Sequence, residues 1–275
     1  MSLVWGVVIL VVADALAIGA MLFVRRRAPE GSFFTDGDRA SGVFGVLATG
    51  FSIFAGFVIF LAFTSYDNSR SGAETEALVV EQQFETAQFM PVGVRDRLSG
   101  ELVCYARYVV KQSWPRMRAG TAGDALNPWA VALFRTVRSI EPKTAAEQAA
   151  YGKWLDQTSD REAARRDRIH GANGITPTSL WIVLFLTAGI LFAFMLFFAD
   201  SGEAARSQAM LMGSAVTVVV ATLLAIHALD NPYRAGIGSI QPVAMERALR
   251  VLAEERAAAQ VRAPEPCDAS GRATS

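Results

Sequence analysis

The stretch from Val43 to Phe63, VFGVLATGFSIFAGFVIFLAF, carries no charged residue. Its length matches the roughly 20 residues that an α-helix needs to cross the hydrocarbon core of a bilayer. Wound at the helical period, it divides into two unlike faces. Gly45, Ala48, Ser52, Ala55, Gly56 and Ala62 fall with Ile59 on one side, and Phe51, Phe54, Phe57 and Phe60 fan across the other. Helices in lipid associate where small residues let two backbones come close. The strip of Gly45, Ala48, Ser52, Ala55 and Gly56 therefore predicts a helix packed into a bundle, not a lone anchor.

Three more apolar runs have the same character: Leu3 to Val24, Leu180 to Ala199 and Ala209 to Leu229. Arg25, Arg26 and Arg27 follow the first run directly. A cleaved signal peptide carries its positive charge before the apolar run, so this order reads as a retained membrane helix. Its small residues are Gly6, Ala13, Ala17 and Ala20, and Asp14 sits beside them near mid-span. A carboxylate at bilayer depth is costly and marks a function or a partner. Asp14 is read as a pore-lining, proton-relaying or ion-contacting group, as a protonated acid bonded to a neighbouring helix, or as a group near the interface. The polar links at 28–42 and 200–208 are short, which makes each pair of spans antiparallel neighbours.

Between the hairpins the pattern stays helical but turns amphipathic. Glu74, Glu76, Glu81 and Glu85 alternate with Ala77, Leu78, Val80 and Phe84, so the second span is expected to run on as a stalk to just before Pro91. Val94, Leu98, Leu102, Tyr105 and Val109 form an apolar stripe on a helix expected to stop at Trp114-Pro115, before a turn through Gly120 and Gly123. Asn127-Pro128 opens a helix with Trp129, Leu133, Val137 and Ile140 inside. Thr144 and Glu147 form a capping box for another, ending among Arg161, Arg165, Arg166 and Arg168. That arginine run reads as a solvated face or as a contact with anionic headgroups. Asp230 is expected to accept hydrogen bonds from the following turn, and Pro242 to reopen a helix with Met245, Leu249 and Leu252 on one face. That helix is left to lie on the membrane or dock on the helical domain.

The expected fold is all-α: four transmembrane helices with a helical soluble domain inserted between the second and third. The segments are 1–64, first hairpin; 65–176, stalk and soluble domain; 177–230, second hairpin; 231–258, an Asp-x-Pro segment and amphipathic helix; and 259–275, a small, polar tail expected to be disordered.

The formal net charge of zero leaves no basic excess for nucleic acid. Cys104 and Cys267, without CxxC spacing, read as two unrelated thiols. There is no Walker loop, GxSxG elbow, HExxH or dinucleotide fingerprint. The two histidines, His170 and His227, stand at the ends of helices. No catalytic residue, metal set or cofactor is predicted, and an enzyme is not expected.

Two stretches together resemble the bestrophin-like domain family of bacterial membrane proteins. The first contains Glu76-Ala77-Leu78, Met90-Pro91, Arg95, Tyr108, Trp114-Pro115, Met117 and Gly120; the second contains Asp230, Pro232, Tyr233 and Gly236, with Ile240 and Pro242 downstream. The chain departs from the family at Gln112-Ser113, where acidic residues are frequent, and at Tyr233, where phenylalanine is commoner. The resemblance covers about residues 3 to 255. It implies kinship with bestrophins, oligomeric anion channels whose phenylalanine-bearing second helix forms a constricted neck. In that light Phe51, Phe54, Phe57 and Phe60 are gating candidates; the alternative is that they face lipid or fill the bundle. The expected function is a homo-oligomeric ion channel in the bacterial inner membrane, with a membrane-anchored structural or signalling protein, binding a protein partner through its helical domain, as the competing reading.

Orientation follows from the short loops. Arg25, Arg26, Arg27, Arg39 and Arg206 put them in the cytoplasm, and the helical domain and both termini outside. Arg161 to Arg168 and the inward-facing domain of bestrophins argue for the reverse.

Overall fold

A computed structural model describes residues 3–121, 126–174, 176–236 and 238–274. Gly123, read above as part of a turn, lies outside the described residues. The helices, in order, are α1 (Leu3–Arg25), α2 (Gly37–Ala87), α3 (Val92–Tyr108), α4 (Trp114–Arg118), α5 (Pro128–Arg138), α6 (Ala145–His170), α7 (Thr178–Phe197), α8 (Ala205–Asp230) and α9 (Val243–Ala258). Among the described residues, β pairing is limited to one isolated bridge between Cys267 and Ala273. Among the described residues, four helices, α1, α2, α7 and α8, are long and apolar enough to cross a membrane. The chain divides into two compact units: residues 1–64 with 175–230, and residues 65–174 with 231–275. The α2 helix contributes to both.

In the first unit, α1 packs along α8. Ala17 and Met21 meet Met212 and Ala199, and a Cβ on Gly213 would lie 3.2 Å from Ile18 Cδ1, so the absent side chain permits the close approach. Phe51, Ala55 and Val58 of α2 bury against Leu184 and Leu191 of α7 and Ile226 of α8. The α2 helix begins six residues before the apolar run, because Asp36 Oδ1 accepts from Arg39 N–H at 3.0 Å and caps the first turn. The link before it is not merely polar: the Phe34 ring lies 4.9 Å from Phe198 and 5.3 Å from Phe194.

In the second unit, α3 packs against α5 and α9 around Leu98, Leu102, Leu133, Trp154, Ala248 and Leu252. The Asn127 cap and the Thr144–Glu147 capping box form as the residue types dictate. Met245 and Leu252 of α9 are buried in this core, so α9 docks within the unit.

Several expectations are corrected. The helix carrying Tyr105 does not stop at Trp114-Pro115. A π-helical turn, Val109–Ser113, carries it into α4. The π-helical turn takes up the break in the ladder that Pro115, which has no N–H to donate to the preceding turn, would otherwise force. Cys104 and Cys267 are not free thiols but a disulfide, with Cα atoms 5.7 Å apart. The tail is not disordered: Trp129 Nε1–H donates to Gly271 O at 2.7 Å, Gln112 Nε2–H donates to Ser270 O at 3.3 Å, and Arg107 pairs with Glu265. Gly271, at φ +76°, lies against the Tyr108 backbone, where a side chain would collide. Asp230 Oδ1 accepts a hydrogen bond from Thr176 N–H at 2.7 Å, a partner on the preceding α6–α7 link that the sequence reading did not include. Its carboxylate thereby stands at the N-terminal end of α7, where the helix dipole favours negative charge.

Candidate functional site

Two sets of residues carry candidate roles, one in each unit. In the first unit they lie on α2, where the structure cuts across the two sequence faces. The buried stripe is Phe51, Ala55, Val58 and Ala62, at steps of four, three and four residues, so it mixes small and aromatic side chains. Ala48 is half-buried with it, whereas Gly45, Ser52 and Gly56 are exposed; the small seam is not one packing face. The phenylalanines divide likewise: Phe51 is buried, Phe54 half-buried, and Phe57 and Phe60 are 59% and 63% exposed. Gly45, Thr49, Ser52, Gly56 and Phe60 thus form an outward stripe running down the helix. A Cβ built on Gly45 or Gly56 would meet nothing within 4 Å, and the Ser52 hydroxyl donates within its own helix to Ala48 O. Among the described residues, no other part of this unit covers that stripe.

Asp14 is tied to α8: Thr217 Oγ1–H donates to its Oδ2 at 2.8 Å. Its Oδ1 is enclosed and accepts no hydrogen bond among the described residues. His227, on α8, packs edge-on to the Trp181 ring at 6.2 Å.

In the second unit, the motif residues converge on a buried ion pair that the sequence did not announce. Arg168 Nε–H donates to Glu76 Oε2, and its NH2 donates to Glu76 Oε1 at 3.2 Å. Tyr105 O–H donates to the same Oε1 at 2.6 Å. The Arg168 guanidinium lies 5.5 Å from the Trp114 ring centre, and Trp114 meets Tyr233 edge-to-face at 5.6 Å. Tyr233 O–H donates back to Arg168 O at 2.6 Å, and Trp114 Nε1–H donates to Ile240 O at 3.3 Å. About two turns earlier on α6, Arg161 Nη1–H donates to Gln83 Oε1 at 2.6 Å, with its guanidinium 4.8 Å from the Tyr105 ring centre. Gly72 lets α2 reach α6 here, since a Cβ would strike the Arg168 and Ala164 backbone.

Burial, then the Glu76 carboxylate, hold the Tyr105 hydroxyl well above its usual range. Burial also raises Tyr233. For Arg168 burial pulls down, but the adjacent Glu76 outweighs it and the guanidinium is held above its ordinary value. A bidentate carboxylate–guanidinium pair with its remaining valences filled is a lock between helices, not a reactive site.

Arg161 and Arg168 are therefore neither solvent-facing nor headgroup contacts: each is 1% exposed. The signal was present in the spacing. Ala150, Trp154, Gln157, Arg161, Ala164 and Arg168 fall on one stripe, and all are buried. Pro115 opens α4 and Pro232 lies against Gly171; Gly236 is exposed and has no role in the lock. Among the described residues, no group of His, Cys, Asp and Glu is placed to hold a metal.

Among the described residues the chain is helical, four of its helices are long and apolar enough to cross a membrane, and its two motif segments meet at Trp114 and Tyr233. The chain matches the Bestrophin-like domain model over residues 10–245 and belongs to that family. Its fold is that of bacterial bestrophin homologues. A point variant of the Klebsiella pneumoniae bestrophin homologue aligns with a TM-score of 0.67 at 13% identity, over 91% of this chain and 97% of that one. The Klebsiella pneumoniae homologue solved by zinc phasing aligns with a TM-score of 0.67 at 12% identity, over 92% and 98%. No curated protein matches this chain.

Proposed function

We propose that the protein is a homo-oligomeric ion channel of the bacterial inner membrane, with the exposed face of α2 lining the conduit and the second unit forming a soluble domain inserted between the membrane hairpins. The observation that carries this reading is the outward stripe Gly45–Thr49–Ser52–Gly56, open along its length and followed by Phe60. Small and hydroxyl side chains leave room for ions, and a phenylalanine ring one turn beyond makes a hydrophobic constriction that closes by dewetting. Anion selectivity follows from the family kinship alone. Purified protein in planar bilayers is expected to conduct, and Phe60→Ala to raise open probability. Silence across pH, calcium and voltage would contradict the reading.

The orientation with the second unit and both termini outside the cytoplasm is supported by two independent features. Arg25, Arg26 and Arg27 flank the short loop, and the Cys104–Cys267 disulfide belongs to an oxidising compartment. In intact cells, an impermeant maleimide should label Lys153→Cys, an exposed position on α6 of the second unit; labelling only after permeabilisation reverses the topology. The competing reading, a partner-binding membrane protein, is supported by a groove of about 570 Å³ on the second unit, lined by Tyr66, Arg70, Glu74, Leu78 and Arg247. Repeated co-purification of one other protein would favour it.

A further inference from the structure

The first unit contains a second concavity that the conduit does not use. It lies among α1, α7 and α8 and encloses about 530 Å³. Leu16, Ala17 and Ala20 form one wall, Ala188 and Gly189 the second, and Val216 the third, and every residue lining it is apolar. The cleft exists because small residues on two helices face each other where larger ones would meet. Leu16 stands 70% exposed at its rim.

We propose that this groove holds one acyl chain of a phospholipid, with the lipid phosphate on Arg27. The walls offer no hydrogen bond, so an ion or polar solute gains nothing there, while an apolar chain does. The α1 stripe Ala13, Ala17, Ala20 and Val24 leads, at helical spacing, to Arg27, whose N–H continues the turn to Val24 O at 2.9 Å. The Arg27 guanidinium stands 4.2 Å from the Phe23 ring centre, at the end of the membrane helix where headgroups lie. The slot's α1 wall stops at Ala20, and the same stripe reaches the Arg27 cation two turns further on, so apolar wall and cation follow the order of a phospholipid's acyl chain and phosphate along the bilayer normal.

The test is native mass spectrometry of the full-length, delipidated protein in detergent, titrated with dioleoylphosphatidylglycerol and, separately, with diolein, which lacks the phosphate. The expected result is one phospholipid per protomer, bound at least tenfold more weakly by Ala188→Trp and severalfold more weakly by Arg27→Gln, with diolein held no better by the wild type than the phospholipid is by Arg27→Gln. Arg27 is exposed, so its variant reports on binding even where Ala188→Trp fails to fold. Wild-type affinity in Arg27→Gln, or efficient crosslinking of two protomers through Leu16→Cys, would overturn the proposal, the latter by giving the groove to a second copy. Lipid binding is read without any conductance, so this result stands apart from the channel reading.

Discussion

Removing the disulfide is the most informative perturbation of the second unit. Cys104 and Cys267 are 163 residues apart, and the segment between them includes α7 and α8, which stay helical in detergent. The part of the loop free to disorder is therefore nearer 100 residues, for which restricting the unfolded chain contributes about 4–5 kcal/mol. The tail has little else to hold it. Between residues 259 and 274 its side chains are small, proline or polar, and its anchors are single hydrogen bonds such as Trp129 to Gly271 and one half-buried ion pair at Arg107. Cys104→Ser/Cys267→Ser, made together to avoid a lone thiol, is expected to lower the thermal midpoint of the second unit by about 10–20 °C. It should also make the tail cleavable after Arg262. The assay is tryptophan fluorescence during thermal unfolding of purified protein in detergent, with limited trypsin digestion in parallel. Trp129 lies beneath the tail, so its emission should shift to the red before the main transition. A midpoint within 3 °C of the wild type, or a tail still resistant to trypsin, would refute the reasoning.

Two further outcomes follow from the same unit. Arg168→Met leaves the Glu76 carboxylate buried without its cation and should cost about 3–5 kcal/mol, measured by denaturant unfolding; the double variant with Glu76→Gln should recover more than half of the loss. Glu255 is held above the ordinary carboxylate range by burial and by Glu85 and Glu81, and Glu81 is raised by burial and Glu85 against the pull of Arg247. A raised acid binds its proton more tightly in the folded state, so this cluster penalises the fold at neutral pH and the penalty is relieved as pH falls through the raised range. Glu255→Gln should therefore stabilise the protein at pH 7 and shrink the gain seen on mild acidification; an unchanged pH profile would contradict this.

Much of this was legible in the residues because lipid and helix geometry leave few choices. The four spans declare themselves by length and lack of charge, the run of α2 into the second unit by the absence of proline, and α5 and α6 by caps whose side chains take the predicted partners. The failures have physical reasons. The disulfide joins residues that no spacing rule connects, and the tail it holds has the composition of a disordered segment. Charge alone suggests that Arg161 and Arg168 face water, but their position on the Trp154 stripe decides their burial. Side-chain size divides α2 into two faces, whereas burial depends on where α7 and α8 stand, which one helix's sequence does not encode. The start of α2 is set by the Asp36 cap and not by the start of the apolar run.

If the uncovered stripe of α2 surrounds a conduit, the copies of the chain close into a ring, and single-particle imaging of the wild-type protein in lipid nanodiscs will show it. The expected image is a symmetric oligomer with Gly45, Thr49, Ser52, Gly56 and Phe60 turned toward its axis around an opening that narrows at the Phe60 rings. A monomer, or a ring in which this face meets lipid, would contradict it.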